Sequence, residues 1–99
     1  MPKRRSLTDP QAENGWVQTK FVCTVNPQAK SVYLAGDFNG WDPEADRMTR
    51  RGGGFVRVVR LPRGEHQYKF IVDGQWTHDP AAARQAPNEC GSLNSVITV

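Results

Sequence analysis

Phe55 to His78 reads FVRVVRLPRGEHQYKFIVDGQWTH, and this stretch decides the fold. Residues 55–61 are a run of β-formers that ends at the turn residues Pro62-Arg-Gly-Glu65, and His66–Asp73 is a second run that ends at Gly74. The two runs are expected to pair as an antiparallel hairpin. In the second run a period of two places Tyr68, Phe70 and Val72 on one face and Gln67, Lys69 and Ile71 on the other, so Lys69 points away from the core. In the first run both faces carry arginine and valine, and the alternation chooses no inner face. Asp73-Gly74 is a strong hairpin signal, which makes Gln75–His78 a short return strand.

The same punctuation extends in both directions. Trp16–Val25 and Ser31–Gly36 are strand candidates separated by Asn26-Pro27-Gln28, and Arg47–Arg51 is a short edge strand ahead of Gly52-Gly-Gly54. Asp79–Gly91, with two prolines and four alanines, reads as a long loop in which Ala81–Arg84 has room for one turn. Ser92–Val99 is the last strand, with Leu93, Val96 and Ile97 as core candidates. Ten valines and two isoleucines stand against four leucines, a balance that favours sheet. The expectation is an all-β, antiparallel β-sandwich of about seven strands in a single domain, since 99 residues cannot support two cores. Residues 1–15 hold three basic residues, two prolines and little apolar surface, and read as a disordered basic tail ahead of a folded module over 16–99.

Charge and motif content exclude several function classes. The formal net charge is +3, and the basic residues are interspersed with acidic ones rather than gathered on one face, which argues against a nucleic-acid partner. No apolar run is long enough to span a membrane or to serve as a signal peptide, so a cytoplasmic protein without a membrane partner is expected. Cys23 and Cys90 lack CxxC spacing; they are two reduced thiols or, alternatively, one long-range disulfide. His66 and His78 are twelve residues apart with no third ligand at metal spacing, and Asp42, Glu44 and Asp46 lack the glycine and distal glutamate of a calcium loop. No serine lies in a nucleophile elbow, and no helix follows the triple glycine to hold a phosphate. Neither an enzyme nor a cofactor or metal is expected.

The tryptophans carry more information. Trp41 and Trp76 both lie in polar, turn-rich surroundings, Asn39-Gly-Trp-Asp-Pro43 and Asp73-Gly-Gln-Trp-Thr77. Each is either a core indole that borders a loop or an exposed flat platform. A sugar site needs such platforms against the apolar face of a pyranose ring, with hydrogen-bonding groups such as Lys69 and Asn94 at its rim.

Three blocks, Gly36-Asp-Phe-Asn-Gly-Trp41, residues 61–80 (LPRGEHQYKFIVDGQWTHDP) and Gly91-Ser-Leu-Asn-Ser-Val-Ile97, resemble carbohydrate-binding module family 48, in particular its glycogen-binding domains of AMP-activated protein kinase β subunits. The resemblance covers about residues 16–99 and implies an immunoglobulin-like sandwich of the early set that binds α-1,4-glucan (glycogen, starch, maltooligosaccharide or cyclodextrin) without catalysis. It places the family's two platform tryptophans on Trp41 and Trp76, its lysine on Lys69 and its asparagine on Asn94. The apolar finger, typically leucine, falls on Cys90, a smaller thiol. Thr77 and Ser92 stand close by as additional contacts. The rival that the same resemblance allows is a protein-interaction module of this fold, serving a kinase or a glycogen-metabolising complex through the same tryptophans.

Overall fold

A computed structural model describes residues 15–99; the basic tail expected over 1–15 lies outside the described residues except for Gly15. The described residues form nine strands: β1 (Trp16–Cys23), β2 (Val32–Gly36), β3 (Asp46–Arg47), β4 (Thr49–Arg51), β5 (Gly54–Pro62), β6 (Glu65–Val72), β7 (Gln75–Thr77), β8 (Arg84–Pro87) and β9 (Leu93–Thr98). All pairings are antiparallel. One sheet has the order β1-β5-β4, the other β3-β2-β6-β9-β8, with β7 also paired to β6. An all-β sandwich results.

Two strands exceed the expected seven for identifiable reasons. The Arg47–Arg51 segment splits at Met48, whose side chain is buried, so that β3 joins β2 in one sheet and β4 joins β5 in the other. Within the segment expected to be loop, Arg84–Pro87 has no apolar alternation, yet its backbone pairs with β9 and covers that strand's otherwise open edge. Residues 81–84 form no helix.

The expected hairpin between the first two runs is not formed. β5 pairs with β1 along its whole length, from Trp16 opposite Pro62 to Cys23 opposite Phe55, whereas β6 lies in the facing sheet. Residues 62–65 thus cross between layers, because side-by-side pairing would leave two apolar faces on one side with nothing to cover them. In opposite sheets, Phe55 and Leu61 of β5 face Tyr68, Phe70 and Val72 of β6, and all belong to one core with Phe21, Val32 and Leu34. This also settles the inner face of β5. Arg57 shares it and closes the gap between sheets, its guanidinium Nη2 and Nε donating to Asp46 Oδ1 at 2.7 and 3.1 Å.

The second expected hairpin is present. Asp73 and Gly74 both adopt positive φ, 49° and 84°, the geometry of a tight two-residue turn, and Ile71 faces Trp76 across it. On one flank of β6, β9 lies alongside Glu65–Tyr68 and β7 alongside Phe70–Val72, so the two follow one another. β9 departs from the expected core: Leu93 is 37% exposed at the strand's start and Ile97 is half-buried, while Val96 is buried as expected and Ser95 is wholly buried opposite Tyr68.

Ser95 belongs to a buried polar network beneath β9. Tyr68 Oη donates to Asp79 Oδ2 at 2.6 Å, Asp79 N donates to Ser95 Oγ at 2.7 Å, and Ser95 Oγ donates to Gln85 Oε1 at 2.9 Å. Gln85 returns a hydrogen bond to the Asp79 carbonyl at 2.7 Å. Each member has at least one partner within the network, which is what makes polar groups tolerable at this depth. Burial, reinforced by the Asp79 carboxylate, holds the Tyr68 hydroxyl far above the usual phenol range. The network anchors the chain just after Trp76.

Candidate functional site

The outer face of the larger sheet is built by strand alternation. With Tyr68, Phe70 and Val72 turned inward, Lys69 and Ile71 project outward, and the register sets Ala35 beside Lys69, Tyr33 beside Ile71 and Trp76 beside Ile71. Lys69 points away from the core, as its position in the alternation requires, but is not free in solvent: it is 7% exposed, and its Nζ donates to Ser92 Oγ at 3.0 Å. Trp76 is 46% exposed, which excludes the reading of this indole as a core residue.

Lys69, Trp76, Asn88, Cys90 and Ser92 line one open depression of about 340 Å³. β6 supplies the lysine, β7 the indole, and the 88–92 loop between β8 and β9 the rest. The succession of β7 and β9 along β6 is what brings residues from 69, 76 and 92 together. Asn88, which the sequence reading did not single out, organises the loop. Its Oδ1 accepts from the amides of Cys90 and Ser92 at 2.9 and 3.0 Å, and its Nδ2 donates to Ser92 Oγ at 2.8 Å and Asn94 Oδ1 at 3.0 Å. The only legible signal was the Asn-x-x-Gly pattern of a turn, with Gly91 at positive φ. Asn94 sits two residues beyond Ser92, outside the depression, its Nδ2 donating to Gln67 Oε1 at 3.0 Å. One amide hydrogen and one oxygen lone pair of Asn94 remain.

Cys90 is exposed and Cys23 buried; both are free thiols, so the disulfide alternative is not realised. Burial pushes the Cys23 thiol up. Thr77 is half-buried and donates to the Gln75 carbonyl at 3.1 Å, outside the depression.

Trp41 is not among the residues that line this depression; it is half-buried, with φ of 60°, at the end of the turn that follows β2. The block around it is turn architecture. A Cβ on Gly36 would lie 2.5 Å from the Phe38 ring and 2.7 Å from the Gln67 carbonyl. Asp37 Oδ2 accepts from Gln67 N at 2.9 Å, and its Oδ1 lies 3.0 Å from His66 Nδ1. Asn39 accepts from Gly36 N at 3.0 Å and donates to the Leu34 carbonyl at 3.0 Å and Asp46 at 2.8 Å. Trp41 N then closes on the Gly36 carbonyl at 2.9 Å. Asp37 and Asn39 thus brace the turn, and the Gly36 carbonyl holds Trp41 at its end in a left-handed conformation that a bulky side chain rarely adopts. His66 is a bridge rather than a ligand: Nε2 lies 2.8 Å from the Pro62 carbonyl. Among the described residues no cluster of His, Cys, Asp or Glu suits a metal ion, and no helix is long and apolar enough to cross a membrane.

A two-layer β-sandwich that exposes an indole beside a lysine and amide side chains on one sheet has the form of a carbohydrate-binding module. A family profile described as the glycogen recognition site of AMP-activated protein kinase matches residues 17–99, and the chain belongs to that family. It is 49% identical over 70 residues to the AMP-activated protein kinase subunit β-1 of Sus scrofa (71% of this chain, 55% of that one) and 50% identical over 70 residues to its counterpart in Bos taurus (71% and 25%). The β-2 subunit of Mus musculus is 41% identical over the same length. The chain therefore spans about half of the pig sequence and a quarter of the bovine one. A maltogenic amylase from S. marinus shares the fold, with a TM-score of 0.72 at 22% identity, over 86% of this chain and 14% of that chain.

Proposed function

We propose that residues 16–99 act as a non-catalytic module that binds α-1,4-glucan chains, glycogen and starch among them, with Trp76 as the main platform. The observation that carries this reading is the half-exposed Trp76 indole at the edge of a depression whose other walls are Lys69, Asn88, Cys90 and Ser92. An indole face offers apolar area to the C–H side of a glucose ring. The Lys69 ammonium uses one of its three hydrogens on Ser92 and keeps two for sugar hydroxyls, while Asn94 retains a donor and an acceptor. Cys90 supplies a small apolar contact where a larger one is usual. Trp41 acts as the second platform, supplied by the neighbouring turn, and Thr77 as a peripheral contact.

Two indoles that cover on the order of 200 Å² of sugar at ~25 cal/mol/Å² contribute about 5 kcal/mol before association costs of similar size. The polar contacts therefore decide the net affinity. A dissociation constant in the range of roughly 10 μM to 1 mM is expected for maltoheptaose, with tighter retention on polymeric glucan through multivalency. Titration with maltoheptaose or β-cyclodextrin, followed by tryptophan fluorescence, tests this. Saturable quenching or a spectral shift in that range supports it; no change at 10 mM ligand overturns it.

A further inference from the structure

The outer sheet face continues past Trp76. The register aligns Trp76 with Ile71, Ile71 with Tyr33 and Tyr33 with Arg47, a row across four strands spanning roughly 14 Å at ~4.8 Å per strand. A second depression, to which Tyr33, Ile71, Trp76 and Ser31 contribute, lies along this row. Ser31 also lines the next cavity, of about 440 Å³, whose polar walls are Lys30, Ser31, Arg47, Thr49 and Arg50. Three basic and two hydroxyl-bearing residues thus line one cavity at the end of the row opposite the indole.

No carboxylate lines that cavity. Asp73 accepts from the backbone amides of Lys30 and Ser31 at 2.8 and 2.9 Å, and Glu44 lies on the intermediate depression. Among the described residues neither the Lys30 ammonium nor the Arg47 guanidinium has an anionic partner; Arg47 lies 5.7 Å from the centre of the Tyr33 ring. Arg50 is held in place, donating to the carbonyls of Pro27 at 2.6 Å and Ala29 at 2.5 Å and lying over the Phe55 ring at 4.7 Å. Its charge is therefore fixed while part of its donor set remains open. Uncompensated like charges around one cavity repel, and an anion with several acceptor oxygens relieves that repulsion. A phosphate monoester suits this set best, because guanidinium forks and hydroxyl donors match its three terminal oxygens.

We propose that this cavity binds a phosphate monoester carried on the glucan, so that the module prefers phosphorylated α-glucan to the neutral polymer. The proposal rests on the glucan reading of Trp76, since continuity along the Trp76–Arg47 row is what favours a sugar-borne phosphate over a free one.

The test compares a maltooligosaccharide with the same chain bearing a 6-phosphate, titrated against the protein and against the Lys30→Gln/Arg47→Gln double variant. Two charge-assisted contacts at exposed positions are expected to give the phosphorylated chain roughly a tenfold advantage at low salt. That advantage falls steeply at ~1 M salt, where the screening length is about 3 Å, and disappears in the double variant, while neutral-chain affinity is unchanged. Equal affinity for the two chains, or an advantage that survives in the double variant, overturns the proposal. Glucose 6-phosphate alone, read by shifts of the Ser31 and Thr49 amide resonances, reports on the cavity independently of Trp76. Shifts there with no binding of neutral chains overturn the glucan reading while supporting the anion site; no shifts overturn the site. A phosphoserine peptide that binds more tightly than the phosphorylated chain overturns the assignment of the phosphate to sugar.

Discussion

Removing the Trp76 indole separates a platform from a packing residue. The side chain is 46% exposed, so of the 150–250 Å² that a tryptophan can bury, roughly 100 Å² is open to a ligand. At ~25 cal/mol/Å² that surface contributes about 2.5 kcal/mol to a complex. Trp76→Ala is therefore expected to weaken maltoheptaose binding by roughly 60-fold, at about 1.4 kcal/mol per decade. The same exposure limits the cost to folding: the indole stands on a three-residue strand and is absent from the core cluster, so the unfolding free energy changes by no more than about 1 kcal/mol. Isothermal titration gives the affinity, and urea denaturation followed by circular dichroism gives the stability. A folded variant within threefold of the parent affinity refutes the platform assignment. A variant that loses several kcal/mol of stability refutes it as well, because the indole would then be supporting the sheet.

Three further outcomes follow from the same geometry. Cys90→Leu enlarges the apolar wall of the depression by about two methylene equivalents at an exposed position; glucan affinity is expected to rise severalfold in the same titration, with no change in unfolding midpoint. Tyr68→Phe leaves Asp79 Oδ2 without its 2.6 Å donor in a buried network, and chemical denaturation is expected to show a loss of about 1–3 kcal/mol. His66 imposes a pH dependence. Burial opposes its protonation, but the Pro62 carbonyl and the Asp37 carboxylate facing its two nitrogens outweigh that and hold its pKa above the ordinary 6.5. A pKa raised on folding stabilises the protein fully below pH ~6.5, and that stability is lost as the pH rises through the folded-state value. The unfolding midpoint is therefore expected to decrease as the pH is raised above ~6.5, and His66→Gln is expected to flatten this slope.

Much of the candidate site was legible because its residues sit in strongly periodic or strongly punctuated segments. The outward direction of Lys69 follows from alternation in β6, and the Asp73-Gly74 turn that raises Trp76 follows from the positive φ it demands. The GDFNGW block was legible as a motif but not as a mechanism. Only the hydrogen bonds of Asp37 and Asn39 show that these two residues brace the turn that ends at Trp41 against β2 and β6. Asn88 escaped notice because its importance lies in four hydrogen bonds within its own loop and to β9, which no periodicity reports. The burial of Lys69 escaped it too, because the loop that supplies Ser92 follows the lysine by more than twenty residues.

The chain's local chemistry was enough to specify most strands and turns, the class of fold and the two indoles to watch, since these depend on side-chain alternation and on backbone conformations favoured by neighbouring residues; β8, which has no alternation, was beyond it. Which strands share a sheet was not a local matter. β5 and β6 are joined by a short turn that suits a hairpin, yet they lie in opposite layers, because burying Phe55 and Leu61 against Tyr68, Phe70 and Val72 outweighs the hydrogen bonds a direct pairing would form. That layer crossing leaves one flank of β6 open for β7 and β9 in succession, and so only the assembled sandwich brings Trp76, Lys69 and Ser92 to one depression and Arg47 to the far end of the same row.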